Sequence, residues 1–102
     1  MVGAAVVQVD PTVQHQLGGT LTISSNAITV TNHIHHVGAG LLKTINFTSA
    51  GGGYGMVLYI IPDAAFTYDA TGNIVVPTGG GTAVVNKLMV LVYDGSKWTP
   101  SY

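Results

Sequence analysis

The chain has 102 residues, of which 7% are charged and 47% are hydrophobic, and it contains no cysteine. Three lysines and four aspartates give a net charge of −1, which excludes a basic nucleic-acid-binding surface. The lack of cysteine excludes a disulfide scaffold and a thiolate zinc site, and no apolar stretch reaches the roughly 20 residues of a membrane span.

Strand-forming residues alternate with turn residues along the chain, which predicts an all-β fold in one small sandwich or jelly-roll-like domain. The predicted strands cover residues 5–9, 20–23, 27–37, 41–47, 56–61, 66–68, 73–76, 88–93 and 97–99. Glycine-rich loops are predicted at 49–55 and 79–81, and Asp94-Gly95 predicts a hairpin. No internal repeat is visible, and residues 1–19 are interpreted as an N-terminal arm or connector before a β-rich domain at 20–102.

The low charge of the chain and two strands that are apolar on both faces together predict a homo-oligomer. Residues 56–61 and 88–93 are apolar on both strand faces, so both faces need cover. A small domain has a large surface for its volume, and this chain has few charges to place on it. We therefore expect neighbouring copies of the chain to supply the second cover.

The most specific chemical motif is Asn32-His33-Ile34-His35-His36. In a continuous strand His33 and His35 point to the same side, and a threefold axis would bring six imidazoles from three chains together. Such a site would hold a divalent transition metal without thiolates. The alternative is that both are ordinary polar strand residues, exposed or hydrogen-bonded between chains.

Other residues give weaker functional signals. Asp10, Asp63, Asp69 and Asp94 all lie in turn contexts, and no Gly-x-Ser-x-Gly motif is present, so we expect no catalysis. Among the aromatic residues, Tyr54 in the first glycine-rich loop is the best candidate for ligand contact. Trp98, just after the predicted hairpin, is expected to pack back on the sheet.

The order of several short segments resembles the β-rich C-terminal domains of bacteriophage tail fibres, tail spikes and related virion appendages. The resemblance extends from Gly19 to Tyr102, and its most distinctive part is the ending Tyr93-Asp94-Gly95-Ser96-Lys97-Trp98-Thr99-Pro100-Ser101-Tyr102. The other matching pieces are Ile28-Thr29-Val30-Thr31, His35-His36-Val37, Leu42-Lys43-Thr44-Ile45, the run from Met56 to Pro62, Asp63-Ala64-Ala65-Phe66-Thr67 and Gly72-Asn73-Ile74.

The resemblance implies an intertwined homotrimer at the exposed surface of a virion, attached to a shaft or capsid and binding a host glycan or protein. It also implies that His33-Ile34-His35 matches the strands that hold iron on the threefold axis of such fibres. Neither nucleic-acid binding nor membrane insertion is expected. The alternatives are a capsid decoration or head-fibre protein, and a bacterial carbohydrate-binding module; an enzyme is the remote third.

Overall fold

The structure, a computed structural model, describes residues 17–47 and 55–102. These two ranges form nine β-strands and contain no helix, so the all-β prediction is confirmed for them. The strands are β1 (Ala27–Val30), β2 (Ile34–Val37), β3 (Leu41–Leu42), β4 (Thr44–Phe47), β5 (Val57–Pro62), β6 (Phe66–Tyr68), β7 (Thr82–Ala83), β8 (Met89–Tyr93) and β9 (Trp98–Pro100). The predicted strand at 5–9 and most of the arm at 1–19 lie outside the described residues.

Among the first six strands, each of β1, β2 and β3 pairs in parallel with the strand three places later in the chain. Ala27 in β1 pairs with Thr44 in β4, and Ile34 in β2 pairs with Tyr59 in β5. Leu41 in β3 pairs with Thr67 in β6. Parallel neighbours cannot be joined by a tight turn, so the chain passes through two other strands before each return. Two circuits of three strands are thus stacked on each other.

The last three strands add to this stack in antiparallel orientation. β7 pairs with β6, β8 pairs with β5, and β9 pairs with β8. The result is a two-stranded, a three-stranded and a four-stranded sheet, the last in the order β2-β5-β8-β9. A jelly roll is built from antiparallel Greek keys, whereas half of these strand pairs are parallel, so the jelly-roll prediction is not confirmed.

The strand predicted at 27–37 is broken into β1 and β2 by residues 31–33. β1 buries Ile28 and Val30, whereas β2 buries His35 and Val37, so the inward-facing positions change from even to odd numbers. The prediction of one alternating strand was therefore wrong. The cause is the side chain of His35, which binds the backbone of the bend.

A second predicted strand, at 41–47, is interrupted at Lys43. The carbonyl oxygen of Asn26 accepts hydrogen bonds from the N–H groups of Lys43 (2.7 Å) and Thr44 (3.2 Å). Ser25 and Asn26 have positive φ angles of 51° and 64°, and this turn carries the Asn26 carbonyl to the corner between β3 and β4. The predicted hairpin at Asp94-Gly95 is confirmed, and it joins β8 to β9.

The core lies between the sheets and is centred on Trp98, which is 0% exposed. The indole N–H donates to the carbonyl of Ile45 at 3.3 Å, and the rings of Phe47 and Tyr93 lie 6.2 and 5.1 Å from it between centroids. Such ring contacts contribute about 0.5–1.5 kcal/mol each beyond the burial of apolar area. Trp98 therefore packs back on the sheet as predicted. The other buried apolar residues include Ile28, Val30, Leu42, Leu58, Ile60, Phe66, Ile74, Met89 and Leu91.

Candidate functional site

His35 is fully buried and holds the corner between β1 and β2. Its Nε2 atom accepts hydrogen bonds from the backbone N–H groups of Thr31 and Asn32, each at 3.0 Å. Its Nδ1 atom lies 2.7 Å from the carbonyl oxygen of Gly19 and donates to it. These partners require a neutral imidazole with its hydrogen on Nδ1, because two donors face Nε2 and an acceptor faces Nδ1. Both ring nitrogens are therefore occupied.

The predicted metal pair of His33 and His35 stays a prediction, because a site on a threefold axis needs three chains. His33 lies in the bend before β2, is exposed, and has its Nδ1 atom 2.7 Å from the carbonyl oxygen of Val57. A metal bound to either ring nitrogen of His35 would have to displace a backbone partner from that nitrogen. Within residues 17–47 and 55–102, no three His or Asp side chains group closely enough to hold a metal ion. Within the single chain, His35 has a structural role.

The described aspartates serve local structure. Asp63 lies 2.6 Å from His36 Nδ1 in a half-exposed pair, and such surface pairs contribute about 0–1 kcal/mol. Hydrogen bonds from the hydroxyl and N–H of Thr71 hold the pKa of Asp69 below its usual value. Hydrogen bonds from the N–H groups of Lys97 and Ser96 do the same for the pKa of Asp94. These two carboxylates stabilise turns, as their sequence context predicts.

Tyr54, the predicted ligand contact, lies outside the described residues, as does Asp10. Two other surface features of the described chain are candidates for interaction. One is a sheet face, and the other is a groove on which the sequence gives no clear signal.

The first feature is the outward-pointing side of the four-stranded sheet, here called the outer face. Its side chains alternate with the buried ones of the same strands. Tyr59 of β5 lies between Ile34 of β2 and Val90 of β8, and Val57 lies beside Val92. Val92 is 42% exposed although it is wholly apolar. The outer face consists of Ile34, His36, Val57, Tyr59, Ile61, Val90, Val92 and Thr99.

The second feature is an open groove of about 500 Å³ between the 77–82 segment and the end of the chain. Its lining contains three hydroxyl side chains, one lysine and one tyrosine ring. The groove is lined by Pro77, Thr78, Gly79, Gly80, Thr82, Val84, Lys87, Ser101 and Tyr102. A turn closed by a 2.8 Å bond from Gly80 N–H to the Pro77 carbonyl forms one wall.

Tyr102 forms the opposite wall and is held at several points. Its hydroxyl donates to the Lys87 carbonyl at 2.6 Å and accepts from the Val84 N–H at 3.2 Å. The Lys87 ammonium lies 4.3 Å from the centre of the Tyr102 ring, a cation–π contact. The Tyr68 hydroxyl donates to the Tyr102 carbonyl oxygen, and burial raises the pKa of Tyr68.

Sequence reasoning missed this groove for a physical reason. The sequence predicts a glycine-rich loop at residues 79–81, but it does not place Tyr102 beside that loop. What joins them is the pairing of β9 with β8 and of β7 with β6, which brings the chain end beside the segment around residue 80. A pattern of residue types along one strand carries no information on such a contact.

Comparisons with known proteins do not place the chain in a family. No protein-family model, curated protein or solved structure matches the chain. In the described ranges, no helix has the length and apolar character needed to cross a membrane. Any function assigned to the chain must therefore be argued from the outer face, the groove and the sequence resemblance.

Proposed function

We propose that the chain is a structural, self-associating domain of a virus or phage particle, a trimeric tip or knob that binds a host surface without catalysis. Its place would be the exposed surface of the virion, joined to a shaft or capsid. In this proposal three small sandwich-like chains associate through the outer face. The sequence resemblance to phage appendages supports the trimeric state and the location on a virion. The low charge of the chain and its apolar outer face support self-association.

The observation that carries the proposal is the apolar character of the outer face. Six of its eight side chains are aliphatic or aromatic, and the other two, His36 and Thr99, are polar. Fully burying one Val, Leu, Ile or Phe side chain contributes about 1.5–3 kcal/mol. Most of these side chains are already partly buried in the single chain, so a second copy would supply the rest of this contribution for each of them.

A second copy of the same chain is the occupant that best suits this face. Valine and isoleucine rows from two pleated sheets interdigitate readily, and each copy carries the same rows at the same spacing. With 7% charged residues in the whole chain, the surface offers few charges that would select a different, charged partner. The half-exposed His36–Asp63 pair lies at the edge of the face, where a polar rim is typical of interfaces.

Sedimentation velocity of matched variants tests this proposal. Val92→Lys places a charge in the outer face, and we expect it to weaken association by at least about tenfold. Thr67→Lys is the control, because Thr67 is an exposed strand position on β6, in the three-stranded sheet. Wild type and Thr67→Lys should sediment as the same oligomer. Equal sedimentation of Val92→Lys and wild type would contradict the assignment of the interface.

Two alternative functions can be separated from the proposed one by experiment. A capsid decoration protein would share the association but bind empty capsids rather than host cells. A carbohydrate-binding module would be a monomer, and the groove with its tyrosine ring and hydroxyl groups is the observation that favours it. Binding to empty capsids and the mass of the native assembly separate the three.

A further inference from the structure

The groove beside Tyr102 has the size and the lining of a site for a small ligand. Small-molecule sites are typically concave and enclose about 300–1,000 Å³. At about 500 Å³ the groove lies within this range, and it has both apolar and polar walls. Pro77 and Val84 supply apolar surface, whereas Thr78, Thr82 and Ser101 supply hydroxyl groups.

The lining is matched to an uncharged ligand that carries several hydroxyl groups. None of the described aspartates lines the groove, and its single cation, Lys87, already lies over the Tyr102 ring. An anion site would require several converging N–H groups or cations. Hydroxyl side chains both donate and accept, which suits a partner whose own groups do the same. Ser101 shows this, since its Oγ accepts from the Val90 N–H and retains its hydrogen to donate.

The aromatic wall is rigid before any ligand arrives. Two hydrogen bonds fix the Tyr102 hydroxyl, and the Tyr68 hydroxyl binds the Tyr102 carbonyl. A side chain that is already fixed loses little conformational freedom on binding, so more of the contact energy is available for affinity. Lys87 lies over the Tyr102 ring, so its methylene stem and the ring together form this wall, against which the C–H groups of a sugar can pack.

We propose that the groove binds one unit of a neutral saccharide, packed against the wall formed by Lys87 and Tyr102 and hydrogen-bonded to Ser101, Thr78 and Thr82. The inference deepens the proposed attachment role and rests on it only for the source of the saccharide, a host surface. The binding chemistry follows from the groove itself. It holds for a single chain, so it does not depend on association through the outer face.

The test is an NMR titration of the whole chain with methyl glycosides of glucose, galactose, mannose and N-acetylglucosamine. We expect at least one to shift the amide signals of Gly79, Gly80, Ser101 and Tyr102 together, with a dissociation constant of roughly 1 mM. Glucuronic acid and inorganic phosphate are titrated in parallel. A panel in which no neutral sugar shifts these signals, or in which only the anions do, would overturn the proposal.

Three variants assign the contacts. Thr78→Val keeps the shape of the side chain and removes the hydroxyl, and we expect affinity to fall by about five- to tenfold. Thr29→Val, at an exposed position of β1 in the two-stranded sheet, should leave affinity unchanged. Lys87→Met removes the charge, and a neutral sugar should lose less than about threefold. A larger loss for Lys87→Met than for Thr78→Val would contradict the assignment of the hydroxyl contacts. Sedimentation of the same samples reports association separately, so failure of the groove and failure of the oligomer are distinguishable.

Discussion

At the scale of single residues, His35 determines where the chain turns. Its imidazole accepts two backbone hydrogen bonds from the bend at 31–33 and donates one to Gly19. A buried polar group left without these partners would cost about 1–3 kcal/mol for each lost hydrogen bond. The sequence marks this residue as a histidine in an alternating strand, but it does not reveal that the ring ends the strand. The predicted metal role and the observed structural role use the same nitrogen atoms.

Gly18 is required because the His35 ring packs directly against it. A Cβ atom at residue 18 would lie 2.6 Å from His35 Nδ1 and 2.8 Å from Nε2, too close for a buried ring fixed by three hydrogen bonds. We predict that Gly18→Ala lowers the free energy of unfolding by about 1–3 kcal/mol, measured by urea denaturation. Gly19→Ala is the matched control, because a Cβ there meets nothing within 4 Å. It should be neutral or up to about 1 kcal/mol stabilising. Equal losses in the two variants would contradict this account of the corner.

Asp94 makes the β8–β9 hairpin sensitive to acid. Its carboxylate accepts hydrogen bonds from Ser96 and Lys97 N–H at 2.8 Å each, which holds its pKa below the usual value. A lowered folded-state pKa contributes stability above the unfolded value of about 3.9, and this stability is lost as pH falls through the folded-state pKa. We predict that Asp94→Asn is less stable than wild type at neutral pH, and that the difference shrinks below about pH 4. Denaturation curves across this range measure it, and a difference independent of pH would refute the assignment.

At the scale of elements, the stacking of parallel strands was the feature that sequence reasoning could not provide. The positions of β5, β6, β8 and β9 were predicted closely, because each is a short run of strand-forming residues between turn residues. The sequence did not predict which strands pair with each other. Strands such as β1 and β4 pair through backbone N–H and C=O groups, which nearly every residue carries. No sequence repeat is needed for such pairing, and none is visible in the chain. The corners at 31–33 and Lys43 depend on hydrogen bonds from distant residues, so a local pattern misses them.

Asn73 extends the stack beyond β4 with its side chain. Its Oδ1 atom accepts from the Ile45 N–H and its Nδ2 group donates to the Ile45 carbonyl, both at 2.9 Å. We predict that Asn73→Ala lowers the free energy of unfolding by about 1–3 kcal/mol, because the backbone of buried Ile45 loses these partners. Asn46→Ala on the same strand is exposed and should change stability by less than about 0.5 kcal/mol. Thermal or urea denaturation of both variants measures the difference. Similar losses of stability in the two variants would argue against a stabilising role for the hydrogen bonds of Asn73 to Ile45.

At the scale of the whole molecule, the main feature is an apolar sheet face on a chain with very few charges. The sequence indicated it, because residues 56–61 and 88–93 are apolar at successive positions. The structure places one set of these side chains in the core and leaves the other set on the outer face. The groove, in contrast, could not be predicted, since its two walls come from segments about 20 residues apart that meet only after β7, β8 and β9 have paired.

Native mass spectrometry of the purified wild-type chain tests the central claim, self-association into a trimer, most directly. The account predicts a mass of three chains with no metal ion, because His35 uses both ring nitrogens within its own chain. The mass of a single chain would contradict it, because no second copy would then cover the outer face. That result would leave the groove beside Tyr102 as the feature on which the function of the protein rests.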